Sequence, residues 1–148
     1  MDLSGPGDSN AAALRILAVD DDPVNLSLIR AIVHRAADAA IRGAVLREAQ
    51  SLGEARRVLA SEPIDILLLD VHLPDGLGLD LAAEVRNEAP AGPDGRAGPA
   101  IVALTASVLP ADQQAALDAG CNAFLAKPYA ASALTSVISR LVAERGGG

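Results

Sequence analysis

Aromatic residues are almost missing from this sequence: there is no tryptophan, one phenylalanine and one tyrosine. The core must therefore be aliphatic, and Ala, Leu, Val and Ile supply most of the 51% apolar fraction. Cysteine is equally scarce. The single Cys121 excludes an internal disulfide, suits a reducing cytosol and reads as a small buried hydrophobe. Positive charge is thin, with 12 Lys and Arg against 19 Asp and Glu for a net charge of −7. No basic cluster exists to neutralise phosphates, so nucleic acid is not expected as a partner of this chain. No apolar run approaches the roughly 20 residues that span a bilayer, so no membrane association is expected. The opening MDLSGPGDSNAAA lacks the basic start and apolar core of a signal peptide. A cytoplasmic location is expected.

At 148 residues the chain has room for one domain with a real core, and no internal repeat is visible. Residues 1–12 read as a disordered tail or linker, 13–144 as the domain, and 145–148 as a second tail. Five apolar runs read as strands: Leu14–Asp20, Val45–Ala49, Ile64–Asp70, Ala100–Thr105 and Ala123–Ala126. The third and fourth are nearly continuous, as in parallel strands covered on both faces. Helical patterns alternate with them. Val24, Leu28, Ile32 and Val33 mark the first behind Pro23, and Leu52, Ala55, Val58 and Leu59 the second. Leu77, Leu81, Ala82 and Val85 mark the third, Pro110 opens a fourth that Gly120 closes, and Leu134, Val137, Ile138, Leu141 and Val142 stripe the fifth. Five strands alternating with five helices spell an α/β fold with an open, doubly wound parallel sheet. The Pro- and Gly-rich stretch 90–99 reads as a flexible insertion.

In such sheets ligands bind at the carboxyl ends of the strands, so the residues that end strands matter most. Asp20 and Asp21 end the first, Asp70 the third, Thr105 the fourth and Lys127 the fifth. The second strand ends on nothing comparable, which suits an edge position. Singly, each is ordinary: acids after strands make turns, and Asp22 before Pro23 reads as a turn and helix-start residue. Together they put three carboxylates in one cleft, which calls for a hard divalent cation. With no Cys or His cluster, oxygen-only ligation favours Mg²⁺ over zinc. Lys127 and Thr105 would then offer a charge and a donor to phosphoryl oxygens. Gly76-Leu77-Gly78 is not a nucleotide loop, since it lacks the further glycine and the lysine. That leaves an aspartate nucleophile, for which two families offer a pattern.

The segments "ILAVDDDPVN", "ILLLDVHLPDGLGLD", "IVALTAS" and "AFLAKPY", in this order and spacing, resemble the receiver domain of two-component response regulators from Ile16 to Leu141. The stretch from Ile101 to Tyr129 is especially similar to receivers attached to hybrid sensor kinases and phosphorelays. The resemblance implies a flavodoxin-like sheet in strand order 2-1-3-4-5. It implies Asp70 as phosphoacceptor, and Mg²⁺ held by Asp20, Asp21, Asp70 and the backbone carbonyl of His72. Thr105 and Lys127 would bind the phosphoryl group. Thr105 and Phe124 would form the switch, and the His72 and Ser107 side chains would modulate dephosphorylation at the cleft edge. The implied donor is a phosphohistidine on a sensor histidine kinase or histidine phosphotransfer protein, with this domain either working beside such a kinase or covalently part of a hybrid one. The departures are a longer 90–99 stretch, Leu52 where many receivers have Gly, and Phe124 in place of the commoner Tyr.

Two alternatives stay open at the level of sequence. The first strand also matches the opening motif of haloacid-dehalogenase-like phosphatases, with Asp20 as nucleophile and Asp22 as acid. That family needs an acidic pair after its lysine, and only Glu144 follows Lys127. A pseudo-receiver that binds partners without phosphorylation is the other.

Overall fold

A computed structural model describes residues 13–88, 98–107 and 109–146. The expected tail at 1–12, residues 147 and 148, and most of the 90–99 stretch lie outside them. In chain order the elements are β1 (Arg15–Val19), α1 (Pro23–His34), α2 (Ala39–Arg42), β2 (Val45–Ala49) and α3 (Leu52–Ser61). Then come β3 (Ile66–Asp70), β4 (His72–Leu73), β5 (Gly76–Leu77) and α4 (Gly78–Glu88). The chain finishes with β6 (Ala100–Thr105), α5 (Pro110–Asp118), β7 (Ala123–Ala126) and α6 (Ala131–Gly146).

Five strands form one parallel sheet in the order β2-β1-β3-β6-β7, while β4 and β5 pair as a separate antiparallel hairpin. With the hairpin set aside, this is the 2-1-3-4-5 order expected. Successive side chains of a strand point to opposite faces, and each face here is covered. Ile16, Ala18, Ile66, Leu68, Val102 and Leu104 pack against Leu26, Ile29 and Val33 of α1 and Leu134, Ile138 and Leu141 of α6. Leu17, Val19, Leu67, Leu69, Ile101 and Ala103 pack against α3, α4 and α5 through residues such as Ala55, Leu81 and Ala116. Burial on both sides explains why β3 and β6 read as continuous apolar runs rather than alternating ones. Cys121 sits in the second cluster, where burial pushes its thiol up to about 11.

Four details differ from the sequence reading. A sixth helix, α2, follows α1: Asp38 accepts from the N–H groups of Ala40 and Ile41, and Ile41 is fully buried. Four residues are too few to show a helical period. On α1 the buried positions are Leu26, Ile29, Ile32 and Val33, whereas Val24 is 72% and Leu28 50% exposed. The helical spacing was legible there, but the apolar stripe is rotated. Leu77 lies in β5, and α4 begins at Gly78. Lastly α6 runs to Gly146, past the boundary expected at 144, because Ala143, Glu144 and Arg145 continue a helix well.

Candidate functional site

β1 lies centrally, with β2 on one side and β3 on the other. Strand order reverses at that point, so the carboxyl ends of β1 and β3 frame a crevice. Among the described residues the buried polar side chains are Asp20, Asp70 and Thr105, at 1%, 8% and 8% exposure. All three stand at this rim. Buried charge is costly unless paired, so their partners define the site.

Lys127, immediately after β7, reaches across the crevice. Its Nζ donates to Asp20 Oδ2 at 3.0 Å and to Asp70 Oδ2 at 3.2 Å. Asp20 is further held by the N–H of Asp22 on Oδ1 (2.9 Å) and by Asn25 Nδ2 on Oδ2 (3.2 Å). The His72 N–H donates to Asp70 Oδ1 at 3.1 Å. Burial raises the pKa of Asp70, against the His72 N–H and the Lys127 charge, which lower it. Burial also works against the Lys127 ammonium, but the bonds and charges of Asp20 and Asp70 prevail and raise its pKa. The resting site is therefore a three-centre ion cluster in a partly desolvated cleft, where charge interactions are stronger than in water.

Asp21 is exposed and adds the third carboxylate. Asp20, Asp21 and Asp70 can each offer an oxygen within 4.8 Å of the others. Such an all-oxygen donor set fits a hard divalent cation, with positions left over for water and a phosphoryl group. The residues present therefore suit the metal that the sequence suggested.

Thr105 follows Leu104, the register partner of Asp70 on β6. Its hydroxyl accepts the Ser107 N–H at 3.0 Å. Ser107 in turn donates to Asp112 and accepts the Leu109 N–H, tying the loop to the first turn of α5. Phe124 on β7 is half-buried, and it shares a pocket of about 290 Å³ with Thr105, Ser107, His72 and Leu77. His72 is exposed on β4. The structure thus brings Asp20, Asp70 and Lys127 into direct contact and places Asp21, Thr105, Ser107, His72 and Phe124 around them.

Three contributors escaped the sequence reading. Asn25 holds Asp20, and only its place in the third helical position could have signalled it. Asp75, in the hairpin turn, accepts from the N–H groups of Leu52 (2.9 Å) and Gly53 (3.1 Å), capping α3 from a distant segment. Gly78 packs its backbone on the end of β3: a Cβ there would lie 2.1 Å from the Asp70 carbonyl oxygen.

Known proteins resemble this chain in sequence and in fold. The chain is 34% identical to the aerobic respiration control sensor protein ArcB of Escherichia coli K12 over 86% of its own length. It is 30% identical to the sensor histidine kinase GacS of Pseudomonas protegens over 87%. It spans only 15% of ArcB and 13% of GacS. Among solved structures it resembles the receiver domain of Ssk1 in its co-crystal with the histidine phosphotransfer protein Ypd1 from Saccharomyces cerevisiae. There the TM-score is 0.77 at 24% identity, covering 89% of this chain and 91% of that one. The family model for the response regulator receiver domain matches residues 16–139, and the chain belongs to that family.

Proposed function

We propose that Asp70 accepts a phosphoryl group from a phosphohistidine on a sensor histidine kinase or histidine phosphotransfer protein. The observation that carries this reading is the buried Asp70 carboxylate held by Lys127 beside Asp20. One carboxylate oxygen of Asp70 attacks phosphorus, the P–N bond breaks, and its electron pair leaves on the imidazole nitrogen. The product is an acyl phosphate on Asp70.

Lys127 pairs with Asp70 before transfer and with the phosphoryl oxygens afterwards, so the buried anion is never left without a counter-charge. Asp20, Asp21, Asp70 and the His72 carbonyl would hold Mg²⁺, which supplies neutralisation of phosphoryl charge when bound. Thr105 gives up its turn with Ser107 and donates to the new phosphoryl group. That vacates space in the shared pocket for Phe124 and shifts the population of the α5–β7 surface. Ser107 and His72, at the mouth of the cleft, modulate the slow hydrolysis that resets the domain. The similarity to ArcB and GacS supports a hybrid kinase context. Among the described residues no helix is long and apolar enough to cross a membrane.

The family assignment removes the phosphatase alternative. Asp20 is also nearly inaccessible and held by three donors, which disfavours it as a nucleophile. The test is intact mass after incubation with acetyl phosphate and Mg²⁺, for wild type and Asp70→Asn. The expected result is a gain of one phosphoryl group that is absent with EDTA and absent in the variant. A gain that persists in Asp70→Asn would overturn the assignment. No gain from acetyl phosphate or from a phosphorylated histidine phosphotransfer protein would favour the pseudo-receiver.

A further inference from the structure

Asp20 is nearly inaccessible, and each of its donors has a different character. Asp22 supplies a backbone N–H to Oδ1, whereas Lys127 and Asn25 share Oδ2. Lys127 is a cation at the end of a long four-carbon stem. Asn25 is a neutral amide in the first turn of α1. A divalent cation held among Asp20, Asp21 and Asp70 would repel the Lys127 ammonium far more than the neutral Asn25 amide. The Lys127 bond to Asp20 would therefore be the one to weaken, with the Asn25 bond kept.

The local fold explains how Asn25 reaches the site. Asp22 is the N-cap of α1, Pro23 opens its first turn, and the Asp22 side chain accepts the Val24 N–H at 2.9 Å. Capping is thus already satisfied without Asn25. Side chains on a helix lean back towards its N-terminus, which carries the Asn25 amide over the end of β1. There it stands between Asp20 and a pocket of about 230 Å³ bordered by Leu28, Lys127, Pro128 and Tyr129. The terminal torsion of an aspartate is broad. Without Asn25, one backbone N–H and Lys127 would set the plane of the Asp20 carboxylate.

We infer that Asn25 is a positioning residue. It holds the Asp20 carboxylate turned towards the metal cleft, so that the oxygen released by Lys127 is available to the incoming cation. The inference rests on the proposed receiver chemistry and deepens it: Asn25 sets the cation affinity of the site without touching the phosphoryl group.

The test is calorimetric titration of Mg²⁺ into the EDTA-stripped full chain, for wild type, Asn25→Ala and Asn25→Gln. It is paired with the rate of phosphoryl gain from acetyl phosphate as Mg²⁺ is raised. Asn25→Ala is expected to weaken Mg²⁺ binding about tenfold, the low end of the loss when a ligand carboxylate forfeits its hydrogen-bond partner. The Mg²⁺ concentration for half-maximal rate should rise in step, with the defect disappearing at saturation. Asn25→Gln keeps the amide donor and should recover much of the affinity. A merely structural role would lower the saturated rate and the melting temperature instead. An unchanged Mg²⁺ affinity in Asn25→Ala would overturn the inference, as would a loss confined to the saturated rate. If the wild type neither binds Mg²⁺ nor gains a phosphoryl group, the phosphoacceptor reading itself falls.

Discussion

Lys127 is the residue on which the resting site depends, because among the described residues it alone brings positive charge to both Asp20 and Asp70. Removing one partner of a fully buried ion pair costs about 3–5 kcal/mol. Lys127 keeps 23% of its side chain exposed, so Lys127→Ala should cost less, about 2 kcal/mol in EDTA, measured by urea unfolding. Added Mg²⁺ should recover part of that loss, and phosphoryl uptake should slow without vanishing. Asp75 offers a test through pH. Its pKa is lowered, chiefly by the Leu52 N–H, with the Gly53 N–H adding to the effect. A lowered folded-state value means a contribution that is present above the ordinary aspartate value of 3.8 and lost as pH falls through the folded value. Asp75→Asn should therefore melt below wild type at neutral pH, with the gap closing as the solution is acidified. Asp20, Asp21, Asp70, Thr105 and Lys127 were legible because each follows or ends an apolar run, and that pattern fixes which rim they occupy. Asp75 was not: its partners Leu52 and Gly53 belong to a different element, and no local pattern links them.

Among the elements, α4 is the one most tightly referenced to the site. The Gly78 N–H donates to the Val71 carbonyl at 2.7 Å, and its Cα faces the Asp70 carbonyl with no room for a methyl group. Backbone cannot yield as a flexible side chain does. Gly78→Ala should cost about 3 kcal/mol, the upper end of overpacking penalties, and should slow phosphoryl uptake because the displaced group is Asp70 itself. Guanidinium unfolding and the acetyl phosphate assay check both parts. The far end of α4 is fixed as well. The Arg86 stem lies across Gly120, whose φ of 103° has no room for a side chain, and its guanidinium donates to the Gly120 carbonyl and to Asn122. Helices with long periodic stripes were legible as elements. The four-residue α2 and the β4–β5 hairpin were not, since neither is long enough to carry a period. On α1 the period was visible but the face was misjudged, because Val24 and Leu28 are as apolar as the residues that are buried.

The whole molecule is one sheet between two apolar layers, and neither layer can be weakened alone. Leu68 is fully buried against α1 and α6. Leu68→Ala should cost about 2–5 kcal/mol, as other buried leucines do, and urea unfolding should still show one transition by circular dichroism. The doubly wound class was legible from the alternation of strands and helices, and right-handed crossovers restrict the arrangements it allows. Which helices share a face depends on strand order, and that order came from the family resemblance rather than from periodicity. The same strand order governs how the chain must assemble. Arg15 meets Val45, Ile16 meets Ile66, and Val102 meets Ala123, so every pairing in the sheet joins segments separated by a crossover. The one local pairing, β4 with β5, lies outside the sheet. No hairpin can therefore seed the core, and loop closure must precede any reward from strand contact. Residues 15–19 wait for the chain beyond residue 66 before both flanks of β1 are occupied. During synthesis Asp20 and Asp70 are thus kept apart until β3 has emerged and closed against β1.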